Sequence, residues 1–196
     1  PTFNNPTGYC WSNNNRQMFL KIINKYNILV IEDDPYSLIN FTKTKYKSLY
    51  QLNGGKNIIY LGTFSKYISP AINVGYIISN KFNDKLYSVK ECFDLGTSLF
   101  IQYVIWDFLK NNNLAQLIQQ KIPIYKNLKK QTLQNLIKQY PTQIKNIFYS
   151  KGGIFIFVKF KQNPCFVTAA KQNQFFIKSK NQFYSRINIC YTNYNP

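Results

Sequence analysis

Apolar positions along the first third of the chain follow two different periods. In SNNNRQMFLKIINKY, positions 18, 19, 22, 23 and 26 are apolar, a spacing that gathers them on one side of a helix, and Ser12 stands where an N-cap belongs. NILVIEDD follows as an unbroken apolar run ending in acids, the pattern of a buried parallel strand. NIIYLGTFS and VGYIIS are two further runs of the same kind. Strands alternating with helical stretches predict an α/β layer.

Beyond Lys81 the period turns helical through Leu86, Val89 and Phe93 and on through SLFIQYVIWDFLKNNN. A long helix is predicted over 119–139, interrupted by Pro123 near its start. After Pro141 the short runs QIKNIFYS, GGIFIFVKF, QFFIKS and SRINICYT read as strands that pair antiparallel. The expected architecture is a mostly parallel sheet with flanking helices to about residue 110, then a smaller α+β segment.

Composition narrows the chemistry. A length of 196 residues allows one domain or a domain and a half, and 45% apolar content supports a sizeable core. With no histidine, His-dependent catalysis is excluded, and four cysteines without a CxxC pair argue against a zinc site. No metal is expected, and unpaired cysteines suit a reducing, cytoplasmic setting. No run approaches the length of a membrane span. The net charge of +18 invites a nucleic-acid reading, but the lysines are scattered and Lys, Asn and Ile are over-used throughout, so the charge reads as compositional. The chain opens on PTFNNPTGYC, with neither an initiator Met nor a signal sequence, which reads as a piece of a longer protein.

Three short motifs carry the chemistry. NNPTG, residues 4–8, is a polar turn. VIEDDPY, residues 30–36, places acids at the C-terminal end of a strand, where open α/β sheets bind ligands. YLGTFSK, residues 60–66, puts Thr63, Ser65 and Lys66 directly after a strand. Hydroxyls and free N–H groups at such a turn suit a phosphate, and a lysine beside them suits a Schiff-base nucleophile.

In this order and spacing the three motifs resemble the fold-type I pyridoxal-phosphate aminotransferases of class I/II, in the branch of the 2-aminoadipate and kynurenine aminotransferases. The resemblance runs from residue 1 to about 110 and resumes at GGIFIFV and SRINICY. It implies an N-terminally truncated chain: residues 1–110 as part of the large cofactor-binding domain, and 111–196 as a linking helix and small C-terminal domain. It implies a transaminase that moves an amino group from an amino acid to a 2-oxo acid through a Lys66 Schiff base with pyridoxal 5'-phosphate, working as a homodimer. Asn5 and Tyr36 would hydrogen-bond the phenolic oxygen of the cofactor, and Asp33 would keep its pyridine nitrogen protonated. Thr63 and Ser65 would bind the phosphate, and Arg186 would take the substrate carboxylate in two bonds.

Relatives read P-G-L-R-x-G-Y where this chain has PAINVGY, so Asn73 replaces a phosphate-binding arginine. Losing a charge-assisted interaction of ~1.5–3 kcal/mol corresponds to a roughly ten- to hundredfold weaker cofactor affinity. Ser179 and Lys180 stand where relatives have a Pro-Gly turn, and the segment before Arg186 is shortened. Two alternatives therefore stay open: an inactive relic of the family, or the aminotransferase-like effector domain of a winged-helix transcriptional regulator. Only the second would bring in nucleic acid, through an upstream winged helix. Pro35 in the acidic motif favours the enzyme branch.

Overall fold

The computed structural model describes residues 1–162, 174–179 and 182–190. Cys165, Lys180 and the end of SRINICYT lie outside the described residues. The described chain is α/β and divides into two compact units. One comprises Pro1, Trp11–Leu38 and Thr44–Gln119; the other comprises Thr2–Cys10, Ile39–Lys43 and the chain from Gln120 onward. The sequence reading placed its boundary at 110, so the two divisions differ by residues 2–10, 39–43 and 111–119.

In the first unit, helix α1 (Asn13–Lys25) begins at Ser12, whose hydroxyl accepts the N–H of Asn15 at 3.1 Å. Its buried face differs from the expected stripe. Arg16, Leu20 and Ile23 are buried, whereas Met18, Ile22 and Tyr26 are at least half exposed. The reason lies in Arg16, whose guanidinium is fully buried. It donates to the carbonyls of Trp11, Lys47 and Pro1 at 3.3, 3.1 and 3.2 Å, and so rotates the helix to bring a satisfied cation inward.

The sheet of this unit contains β1 (Val30–Asp33), β2 (Ile58–Thr63) and β3 (Gly75–Ile78) in that order. β1 and β2 run parallel, with Glu32 opposite Tyr60 and Asp33 opposite Leu61. β3 joins antiparallel to β2, with Tyr76 opposite Gly62 and Gly75 opposite Thr63. The expectation of a buried first strand needs correction, because Ile31 is 64% exposed and only Glu32 of β1 is buried. β1 is an edge strand, and one face of it has no covering layer among the described residues. The other face packs on α1 and on α2 (Leu49–Leu52) through Leu20, Ile23, Leu49 and Ile58.

Glu32 fixes α2 in place. Its carboxylate accepts the N–H groups of Leu49 and Tyr50, both at 2.9 Å, at a helix start already closed by a Ser48–Gln51 capping box. Burial pushes its pKa up against these two bonds. The helical stretch beyond Lys81 resolves into α3 (Asn83–Asp94) and α4 (Leu99–Asn111). Between them they expose Phe93, Leu95, Leu99, Phe100 and Trp106.

Helix α5 (Leu114–Gln139) starts earlier than predicted, so Pro123 falls inside it rather than near its start. Most of its length belongs to the second unit. That unit holds an antiparallel sheet of β4 (Ile144–Phe148), β5 (Phe155–Phe160), β6 (Gln174–Ser179) and β7 (Gln182–Asn188), in the order β4-β5-β7-β6. The antiparallel pairing predicted after Pro141 is borne out. β5 is central and buried along nearly its whole length, with Val158 at 0% exposure. Among the described residues no helix is long and apolar enough to cross a membrane.

Candidate functional site

Strand alternation separates the three consecutive acids of EDD. Glu32 and Asp34 are buried on one side of β1, while Asp33 is exposed on the other. By register, Asp33 shares its face with Leu61 and Thr63 of β2, so this face presents one free carboxylate and one hydroxyl at its C-terminal end. Tyr36, the other half of the D-x-x-Y spacing, is only 5% exposed.

Thr63 ends β2 and opens the loop that carries Lys66. Its Oγ1 accepts the N–H of Ser65 at 3.1 Å and donates to the carbonyl of Val74 at 3.3 Å. The same carbonyl receives the N–H of Phe64 at 3.0 Å, so the loop from 64 to 74 is closed at its base by two bonds. Within the loop, the N–H groups of Tyr67 and Ile68 both return to the Phe64 carbonyl, forming a tight turn. Lys66 projects from that turn exposed, while Tyr67 beside it is buried and its hydroxyl pKa is raised by burial. The hydroxyl proton of Thr63 is thus committed to Val74. Ser65 beside it is half-buried, and its N–H is held by Thr63.

The far side of the loop passes through a short 3-10 turn, Pro70–Ile72, into Asn73. Asn73 is exposed and left-handed, with φ 47° and ψ 42°. Asparagine enters this region more easily than other non-glycine residues. Asn73 is therefore suited to its backbone, a role the sequence reading missed.

In the second unit, Asn5 and Arg186 come together although 181 residues separate them. Nη1 of Arg186 donates to Oδ1 of Asn5 at 3.1 Å, and the guanidinium lies over the Phe155 ring at 4.7 Å. Asn5 is held in a closed turn, in which Asn4 N–H meets the Tyr9 carbonyl at 2.9 Å and Gly8 N–H meets the Asn4 carbonyl at 2.6 Å. Asp33, Tyr36, Thr63, Ser65 and Lys66 belong to the first unit, and Asn5 and Arg186 to the second.

A cavity of about 420 Å³ in the first unit is lined by Asp34, Ser37, Tyr50, Tyr60 and Tyr76, among others. Asp34 accepts the Tyr60 hydroxyl at 3.0 Å and the Ser37 N–H at 3.1 Å there. Burial, then the Asp34 charge, raises the Tyr60 hydroxyl pKa. Tyr60 and Tyr76 lie on the sheet face opposite Asp33 and Thr63, so this cavity and the Lys66 loop are separate features.

Compared with known proteins, residues 1–183 match the family "Aminotransferase class I and II". Aromatic-amino-acid aminotransferase 1 of Thermococcus litoralis is 30% identical over 159 residues, covering 80% of this chain and 37% of that protein. The HTH-type transcriptional regulator NorG of Staphylococcus aureus is 32% identical over 164 residues, covering 82% of this chain and 36% of that protein. Among solved structures, the kynurenine aminotransferase of Pyrococcus horikoshii, in complex with PMP, superimposes with a TM-score of 0.82 at 27% identity, covering 98% of this chain and 50% of that one. The chain spans between about a third and a half of the length of these relatives.

Proposed function

The chain belongs to the class I and II aminotransferases, and from that membership we propose that it carries the lysine-bearing half of a pyridoxal-phosphate transaminase acting on an amino acid and a 2-oxo acid. In this reading residues 1–110 are part of the cofactor-binding domain, 111–196 are the linking helix and small domain, and the working protein is a cytoplasmic homodimer. The observation that carries it is the closed loop between Thr63 and Val74. That loop exposes Lys66, next to a half-buried Ser65, beyond a strand whose neighbour exposes only Asp33 of its three acids.

This donor set fits the cofactor chemically. A primary amine, a hydroxyl for phosphate and a single free carboxylate for a pyridine nitrogen are the groups such a molecule requires. When bound, the cofactor supplies an electron sink for negative charge developing on the substrate carbon. Asp33 would keep the proton on the ring nitrogen, because a neighbouring carboxylate favours the charged pyridinium. In this reading Asn5 and Tyr36 would hydrogen-bond the phenolic oxygen, and Thr63 and Ser65 would bind the phosphate. Lys66 would hold the cofactor through its amine, and the same amine would serve as the base that carries a proton to and from the substrate carbon. Arg186 offers its guanidinium fork to the substrate carboxylate.

The test is spectroscopic. The protein mixed with pyridoxal phosphate should develop a visible absorption band, and borohydride reduction should fix the added mass on Lys66. Lys66→Ala should show neither, and a variant that kept the band would defeat the assignment. The similarity to NorG supports a second reading, an aminotransferase-like effector domain that binds the cofactor without turnover. Binding without amino transfer in the intact protein would favour it.

A further inference from the structure

Helix α5 carries several lysines, and one of them behaves unlike the rest. Lys121, Lys126, Lys130 and Lys138 are exposed, whereas Lys129 is only 9% exposed. Its ammonium donates to the Ser150 carbonyl at 2.6 Å and to the Ser150 hydroxyl at 2.7 Å, and lies over the Phe41 ring at 5.3 Å. No acid follows Asp107 in the sequence, and among the described residues no carboxylate pairs with it. Burying an ammonium against neutral oxygens is expensive, and burial presses its pKa down to about 8. A methionine would fill the same space without that cost, so what the amine adds is its two bonds to Ser150.

It holds Ser150, and two short routes lead from Ser150 to the Asn5–Arg186 pair. The first runs through Gly8, which sits at φ +67° and packs so closely on Ser150 that a β-carbon at Gly8 would collide with the serine side chain. Gly8 closes the turn that contains Asn5 through its bond to Asn4. The second runs along β5: the Ser150 hydroxyl lies 3.4 Å from the Phe155 carbonyl, and the Phe155 ring carries Arg186. We propose that Lys129 is a positioning residue that, through Ser150, sets Asn5 and Arg186 in register to receive the cofactor's phenolic oxygen and the substrate carboxylate. Its ligand side rests on the function proposed above; its geometric side does not.

The experiment reads both sides separately. In Lys129→Met, the side-chain amide resonance of Asn5 and the Nε resonance of Arg186 should shift in cofactor-free protein. Equilibrium affinity for pyridoxal phosphate, followed by visible absorbance, should weaken about tenfold, the loss expected from misplacing one hydrogen bond. Lys129→Arg, which keeps the donors, should restore most of both, and Lys130→Met on the exposed face should change neither. If Lys129→Met does not fold, Ser150→Ala, which removes only the hydroxyl, should show the same shifts at smaller amplitude. Resonances and affinity that stay at wild-type values while thermal stability alone falls would overturn the proposal. Shifted resonances in a protein that never binds the cofactor would uphold the positioning role and overturn the function it rests on.

Discussion

Replacing Asn73 by arginine pits two opposed effects against each other, and the structure sets their sizes. If Asn73 stands where relatives bind the cofactor phosphate, an arginine there adds a charge-assisted bond of ~1.5–3 kcal/mol. The residue is exposed, so a long side chain has room, but its backbone is left-handed at φ 47°. An arginine pays a steric penalty there that asparagine partly escapes, on the order of 1 kcal/mol. The penalty falls on a loop whose base is closed by Val74, the very next residue, so it acts where Lys66 is positioned. Because that penalty is present with or without the cofactor, it lowers folding stability by about 1 kcal/mol and leaves the dissociation constant to the charge, which should tighten it roughly ten- to hundredfold. Titration of pyridoxal phosphate by visible absorbance measures the first effect, and urea denaturation of the cofactor-free protein measures the second. Asn73→Gly provides the control, because it relieves the backbone without adding charge and should leave affinity unimproved. An Asn73→Arg protein with unchanged affinity would refute the placement of this residue at the phosphate. Unchanged stability would refute the strain.

Two further predictions test the local structure directly. Lys129 has its pKa lowered to about 8 by burial, while an unfolded lysine titrates near 10.5. The unfolded chain therefore binds more protons than the folded one between these values, and stability should rise with pH across that window by up to roughly 3 kcal/mol. Urea denaturation at pH 7.5 and pH 10 should show the rise in wild type and not in Lys129→Met; equal slopes would refute it. Thr63→Val removes both the acceptor for the Ser65 N–H and the donor to Val74. Hydrogen exchange at the Ser65 amide should quicken about fivefold, matching the loss of roughly 1 kcal/mol, with Thr63→Ser close to wild type.

What the sequence discloses and what it hides follow from how far apart the interacting partners lie. Helix α1 is legible because its cap and its first turn are adjacent, Ser12 bonding to Asn15 three residues on. Its inward face is not, because Arg16 is drawn in by carbonyls at Pro1 and Lys47 that no local pattern can announce. The separation of Asp33 from Glu32 and Asp34 follows from strand alternation alone. The burial of Glu32, by contrast, depends on the backbone of α2, seventeen residues later. β3 reads as one more apolar run, and nothing in the run itself says that it pairs antiparallel, since direction is set by the short loop that returns it to β2. The motifs around Lys66 and Asn5 are recognisable because each is contiguous. What supports them is not contiguous: Asn5 meets Arg186 across 181 residues, and Lys129 meets Ser150 across 21. A lysine on a lysine-rich helix offers no sequence signal that it is the buried one. Only its partner reveals that, and the partner is a serine whose importance derives in turn from a glycine near the start of the chain. Variants at Lys129 and Ser150, which carry no motif of their own, should therefore perturb the Asn5 turn through Gly8.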